Sequence, residues 1–176
     1  MRIIAGTARG RRLVAPAGNT VRPTSDRVRE ATFNALDSRA VIKEARVLDL
    51  FAGSGALGIE ALSRGAAHCT FVEKDRLAVD AIRANLDAIG FADRATVVPA
   101  DVLRFTRSPV RNIDLALVDP PYTFEGWDSV LLALAAVDLV MLETRAPVDA
   151  PGWEILRQQR YGGTVVTLIT RQENPA

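Results

Sequence analysis

The segment Asp119-Pro120-Pro121-Tyr122 follows an apolar run, residues 113–118, that reads as a buried strand. Two consecutive prolines end such a strand and fix its backbone, so the Pro120 carbonyl is expected to project beyond the sheet edge beside the Asp119 carboxylate. A carboxylate and a carbonyl held side by side suit one kind of acceptor, an amine conjugated to a ring. Its lone pair is delocalised and poorly nucleophilic. If both N–H bonds are accepted, the nitrogen can pyramidalise and aim that lone pair at an electrophile, while the Tyr122 ring stacks on the base. Catalysis would then be positioning and electrostatics, with no metal and no covalent intermediate.

A second motif lies upstream, where residues 47–58 read Val-Leu-Asp-Leu-Phe-Ala-Gly-Ser-Gly-Ala-Leu-Gly. Gly53, Gly55 and Gly58 give a Gly-x-Gly-x-x-Gly spacing that lets a strand-to-helix turn approach a ligand closely. Dinucleotide sites use the same spacing. Two acids favour S-adenosylmethionine instead. Asp49, four residues before Gly53, is expected to face the cationic end of a ligand without pyrophosphate, and Asp101, after the third strand, to receive an adenine amino group. Glu73 closes the second strand, where a carboxylate can accept both ribose hydroxyls. Phe51 and Ala52 in the loop, Lys74 beside Glu73 and Val102 beside Asp101 complete the expected cofactor set. Helix capping is the competing role for these acids.

The elements that must position these residues alternate. Strands are expected at 47–51, 69–73, 95–99, 113–118 and 139–143, with helices at 56–64, 76–89, 102–106 and 127–136 between them. Short apolar strands separated by helical periods imply a parallel sheet covered on both faces. The closing runs 153–158 and 164–170 are joined by Tyr161-Gly162-Gly163, too short for a helical crossover, so they should pair antiparallel. The expected fold is α/β and Rossmann-like, of the methyltransferase type, with a seven-stranded mostly parallel sheet ending in an antiparallel hairpin. Residues 1–5 and 12–14 suggest a preceding β-hairpin around Gly6–Gly10. Pro16, Gly18 and Pro23 mark a loop, and Thr24 or Ser25 could cap a helix over Val28, Ala31, Thr32, Ala35 and Leu36. Residues 1–23 are thus expected as a basic extension and 24–176 as the main domain.

Composition narrows the chemistry. The 176 residues hold one cysteine, Cys69, and one histidine, His68. These exclude an internal disulfide and argue against a metal cluster or a His-based triad, and Cys69 reads as a core residue of its strand. No run approaches the roughly 18 apolar residues of a membrane span. The first twenty residues carry Arg2, Arg9, Arg11 and Arg12 without an apolar signal core. A cytoplasmic monomer is expected. The net charge of +1 hides an asymmetry: residues 1–46 hold ten Arg and Lys against four Asp and Glu, a net +6, leaving −5 for the rest. Such a basic quarter suits a polyanion, through Arg2, Arg9, Arg11, Arg12, Arg22, Arg27 and Arg29.

The whole chain resembles the RsmD family of bacterial 16S ribosomal RNA guanine-N2 methyltransferases. The likeness runs through Met1-Arg2-Ile3-Ile4-Ala5-Gly6, Arg9-Gly10-Arg11-Arg12-Leu13, Arg22-Pro23-Thr24-Ser25-Asp26-Arg27-Val28-Arg29-Glu30 with Phe33-Asn34, Asp49 to Gly58, Glu60-Ala61-Leu62-Ser63-Arg64-Gly65, and Asp119 to Tyr122. The basic N-terminal motifs are the specific ones, since generic methyltransferases lack them. The resemblance implies methylation of a guanine in small-subunit RNA, in an assembled or assembling particle. Asp49, Gly53, Gly55, Glu73 and Asp101 would hold S-adenosylmethionine, and Asp119 to Tyr122 the target base. Read from residues alone, adenine or a protein glutamine could also be the acceptor; a NAD enzyme would leave Asp119 to Tyr122 and the basic arm unexplained, and the two catalytic motifs argue against a non-catalytic RNA-binding module.

Overall fold

The alternating pattern folds as α1 (Asp26–Asp37), β1 (Arg46–Leu50), α2 (Ala56–Ser63), β2 (His68–Glu73), α3 (Arg76–Ile89), β3 (Ala95–Pro99), α4 (Val102–Phe105), β4 (Leu115–Val118), α5 (Trp127–Ala133), β5 (Leu139–Thr144), β6 (Trp153–Tyr161) and β7 (Thr164–Arg171). The structure, a computed structural model, describes residues 1–16 and 26–172. The expected loop at Gly18 and Pro23, the Thr24 or Ser25 cap, Arg22 and the boundary at residue 23 lie outside the described residues.

One seven-stranded sheet runs in the order β3-β2-β1-β4-β5-β7-β6. Strands β1 to β5 pair parallel, whereas β7 pairs antiparallel with both β5 and β6. The strand order reverses between β1 and β4, which opens a crevice at their carboxyl ends. Strand periodicity divides the core into two layers. Val47, Cys69, Phe71, Leu115 and Met141 face one layer with Phe33, Leu36, Leu62 and Ile82. Leu48, Leu50, Val72, Val118 and Leu142 face the other with Val102, Val130 and Leu134. Cys69 is fully buried, and burial, followed by the charge of Asp49, pushes its thiol pKa well up, so it is inert packing. Gly58 is required by packing: a Cβ there would stand 2.3 Å from Phe71 and 2.6 Å from Cys69 Sγ. Among the described residues no helix is long and apolar enough to cross a membrane.

The N-terminal hairpin is shorter than expected, a single antiparallel bridge between Arg2 and Arg12. Ile3 N–H donates to the Arg11 carbonyl, and Gly10 and Leu13 N–H donate to those of Ile3 and Met1, while the N–H groups of Ile4 and Ala5 donate to the two carboxylate oxygens of Glu60 on α2, at 2.8 and 3.0 Å. Ala8 N–H donates to Ser63 Oγ, and Ile3, Ala8 and Leu13 bury their side chains in the core layer that α2 shares.

Candidate functional site

A cavity of about 680 Å³ opens at the carboxyl ends of the strands. That volume suits a nucleoside-sized ligand. Its floor is the turn from β1 into α2, where Phe51, Ala52 and Gly53 line the space. Phe51 takes a left-handed φ of 61° and its ring stacks edge-on against Phe124, centroids 4.9 Å apart. A bulky residue held in that conformation marks a turn fixed by its surroundings. Gly55 departs from expectation. It does not line the cavity: it precedes α2 with φ 79°, and a Cβ there would meet Ile82 and Ile59 at 3.2 and 3.3 Å. It serves the turn and the packing of α2 on α3.

Glu73, Lys74, Asp101 and Val102 line one side of the same cavity. The Glu73 carboxylate ties two loops together. Its Oε2 accepts the Gly53 N–H at 2.8 Å, and its Oε1 accepts the N–H groups of Lys74 and Asp75 at 2.8 and 2.9 Å. Asp101 caps α4, its Oδ1 accepting from Leu103 N and Arg104 N, while its Oδ2 stands 3.4 Å from Lys74 Nζ. Capping thus occupies one oxygen and leaves the other at the cavity.

Asp49 is the main correction among the acids. It is 1% exposed, does not line the cavity, and turns its Oδ2 inward to accept the Gly58 N–H at 2.9 Å. Burial raises its pKa from 3.8 to about 7, the Gly58 hydrogen bond opposing this and the charge of Glu73 adding to it. The carboxylate braces the glycine turn from behind, because its strand position faces the layer of α2 and α3.

Asp119, Pro120, Pro121 and Tyr122 form the opposite wall. The Phe124 N–H donates to the Pro121 carbonyl at 2.9 Å and closes the turn after the prolines. Tyr122 is 45% exposed, and the Arg145 guanidinium sits 4.4 Å from its ring centroid, covering one face. A stacked base would use the other face or displace Arg145. Sequence reasoning missed Glu143, which is 6% exposed and lines this cavity together with a neighbouring one of about 420 Å³ that contains Arg145. The signal was available: Glu143 is the one charged residue in Leu-Val-Met-Leu-Glu-Thr, a strand buried at every position. Met1 and Val28 also reach the cavity wall, bringing the N-terminal region to its mouth.

The expected basic face divides. Arg2, Arg9, Arg11, Arg12 and Arg27 are exposed, with Arg11 donating to the Ala88 carbonyl at 2.7 Å and Arg2 standing 3.8 Å from Asp26. Arg29 is a correction. It is 1% exposed, donates to Asp26 Oδ1 at 3.0 Å and to the Arg2 carbonyl, and lies 3.9 Å from Glu60. Its helical position points inward, where its charge faces Asp26 and Glu60.

Residues 1–170 match the family described as Conserved hypothetical protein 95. The chain is 45% identical to ribosomal RNA small subunit methyltransferase D of Escherichia coli K12, over 98% of this chain and 90% of that protein. It is 34% identical to the Haemophilus influenzae protein of the same name, over 92% and 89%. A solved structure of the Escherichia coli protein yhhF superposes with a TM-score of 0.85 at 36% identity, covering 98% of each chain.

Proposed function

The chain belongs to the RsmD family of ribosomal RNA methyltransferases, and on that premise we propose that it methylates the exocyclic N2 amine of a guanine in small-subunit ribosomal RNA. The observation that carries this reading is one cavity with two unlike walls. On one side stand the glycine turn and the strand-end acids Glu73 and Asp101, and on the other Asp119, Pro120, Pro121 and Tyr122.

The first wall fits S-adenosylmethionine. Glu73 Oε2 accepts one hydrogen bond among the described residues and retains capacity for a ribose hydroxyl, and Asp101 keeps an oxygen at the cavity for the adenine amine. Phe51, Val102 and Leu103 supply apolar surface between them. When bound, the cofactor would supply an electrophilic methyl group, its sulfonium keeping the electron pair of the broken S–C bond and leaving as a neutral thioether. Everything else falls to this chain's own residues. Asp119 and the Pro120 carbonyl accept the two N–H bonds of the amine and turn its lone pair toward the cavity. Once the new N–C bond forms, the nitrogen is cationic, and Asp119 stabilises that charge until a proton leaves to water. Tyr122 holds the base by its ring face after the base is unstacked from the RNA. Arg2, Arg9, Arg11, Arg12 and Arg27 grip phosphates, in naked RNA or an assembling subunit, and bring the RNA to the mouth of the cavity where Met1 lies.

Small-subunit RNA from cells lacking this protein, incubated with the purified chain and labelled cofactor, should yield N2-methylguanosine at one position on nuclease digestion and mass mapping. Label in N6-methyladenosine would replace guanine by adenine. Absence of label in any nucleoside would overturn the reading.

A further inference from the structure

Resting on that reading, we infer that Glu143 is the residue that tells guanine from adenine, by accepting the guanine N1–H while Asp119 holds the adjacent 2-amine. Strands β4 and β5 are parallel, and their last paired residues are Val118 and Leu142. Asp119 and Glu143 are the next residues along each chain. They stand level, on neighbouring strands whose spacing is about 4.8 Å, and residues that share a register position share a face of the sheet. Both line the cavity beside Pro120 and Tyr122. Glu143 is 6% exposed and is the one charged residue of its strand, so its carboxylate is held at the cavity wall and not at the open surface.

The purine edge offers a chemistry that two carboxylates held level can read. Guanine presents N1–H and the 2-amine side by side on its Watson–Crick edge, all donors, which two adjacent carboxylates can accept together. Adenine presents its amine beside N1, a lone-pair acceptor. With the adenine amine at Asp119, that lone pair would oppose the Glu143 carboxylate, an unpaired and repulsive contact in a desolvated site. The proton remains on N1 and no bond is broken at this contact, so Glu143 positions and selects the base without entering the chemistry.

The analogue 2-aminopurine separates the two contacts, because it keeps the 2-amine but carries an acceptor at N1. Small-subunit RNA would be ligated from two fragments with either guanine or 2-aminopurine at the mapped methylation position, and kcat/KM measured with the full chain and with Glu143→Gln. The parental protein should prefer guanine by roughly 10- to 100-fold, the range that one buried polar group left unsatisfied corresponds to. Glu143→Gln, whose amide can present either its oxygen or its N–H₂, should bring the two RNAs within about threefold of each other. A merely structural Glu143 would lower both rates and leave their ratio alone, and that result overturns the inference. Should Glu143→Gln prove inactive on both RNAs, the parental ratio decides, and near-equal rates overturn the inference. If the product on unmodified RNA is not N2-methylguanosine, the underlying reading fails first, and the nucleoside analysis shows it.

Discussion

Two regions of this molecule gather arginines and carboxylates, the seam between the N-terminal arm and α2 and the cavity at the strand ends, and they use them in opposite ways. At the seam Glu60 is fully buried and its oxygens are consumed: Ile4 N–H, Ala5 N–H and Arg64 Nε donate to it, and Arg29 lies beside it. Arg64 also bonds to Asp37 and lies 5.3 Å from the Phe33 ring centroid. At the cavity the acids divide their capacity, one oxygen of Asp101 capping a helix and the other remaining at the ligand side. Residue type is the same in both places. What differs is whether backbone N–H groups and paired charges exhaust the acceptor before a ligand could meet it.

The largest expected effect should come from breaking the seam. Replacing Glu60 by Ala leaves the buried Arg29 guanidinium without its facing carboxylate and two backbone N–H groups without acceptors, a loss of about 3–5 kcal/mol. Urea unfolding would measure it. A loss under about 1 kcal/mol would mean water or rearrangement replaces the network.

The cavity should respond in rate instead. Asp119→Ala is expected to reduce single-turnover methyl transfer by about 10²–10³-fold, with unfolding midpoint and RNA affinity little changed. Transfer at the parental rate would remove Asp119 from the mechanism. Together these two variants sharpen the contrast, since each should spare the property that the other destroys.

A smaller effect tests the division within the arginines. Neutralising Arg9, Arg11 and Arg12 together should flatten the salt dependence of RNA binding by about 0.7–0.9 in slope for each phosphate no longer neutralised. Arg29→Met should leave that slope intact, because its charge faces Asp26 and Glu60 and not solvent. Equal slopes for the parental and triple-substituted proteins would show that the exposed arm does not meet phosphate.

The subtlest prediction concerns pH. Asp49 has a folded-state pKa of about 7 against an ordinary 3.8, so the folded protein holds a proton there that the unfolded chain has released. Its contribution to stability is fully present below pH 3.8, falls as pH rises, and is lost by about pH 7. Asp49→Asn keeps an acceptor for the Gly58 N–H and should remove that slope between those limits. Denaturant titrations across the range would show it, and identical slopes in both proteins would place the proton elsewhere.

Much of this was legible before any coordinates. Period-two and helical apolar patterns set the strands and helices, since burial of one face or both imposes those periods, and the short link at Gly162 and Gly163 required an antiparallel return. The Asp119-Pro120-Pro121-Tyr122 segment announced itself through residue types whose backbone constraints are local. Other assignments were not local. Whether Asp49 meets a ligand or a backbone N–H depends on which sheet face its position serves and on the helix packed there. Whether Arg29 reaches solvent depends on Glu60, 31 positions later in the chain, and Glu143 acquires meaning only because β5 lies against β4. Sequence determined the elements and the chemistry each residue could offer. Tertiary structure decided which donors and acceptors would be spent internally, because the partner that satisfies a buried polar group is chosen by proximity in space, across separations the chain's own periodicity does not encode.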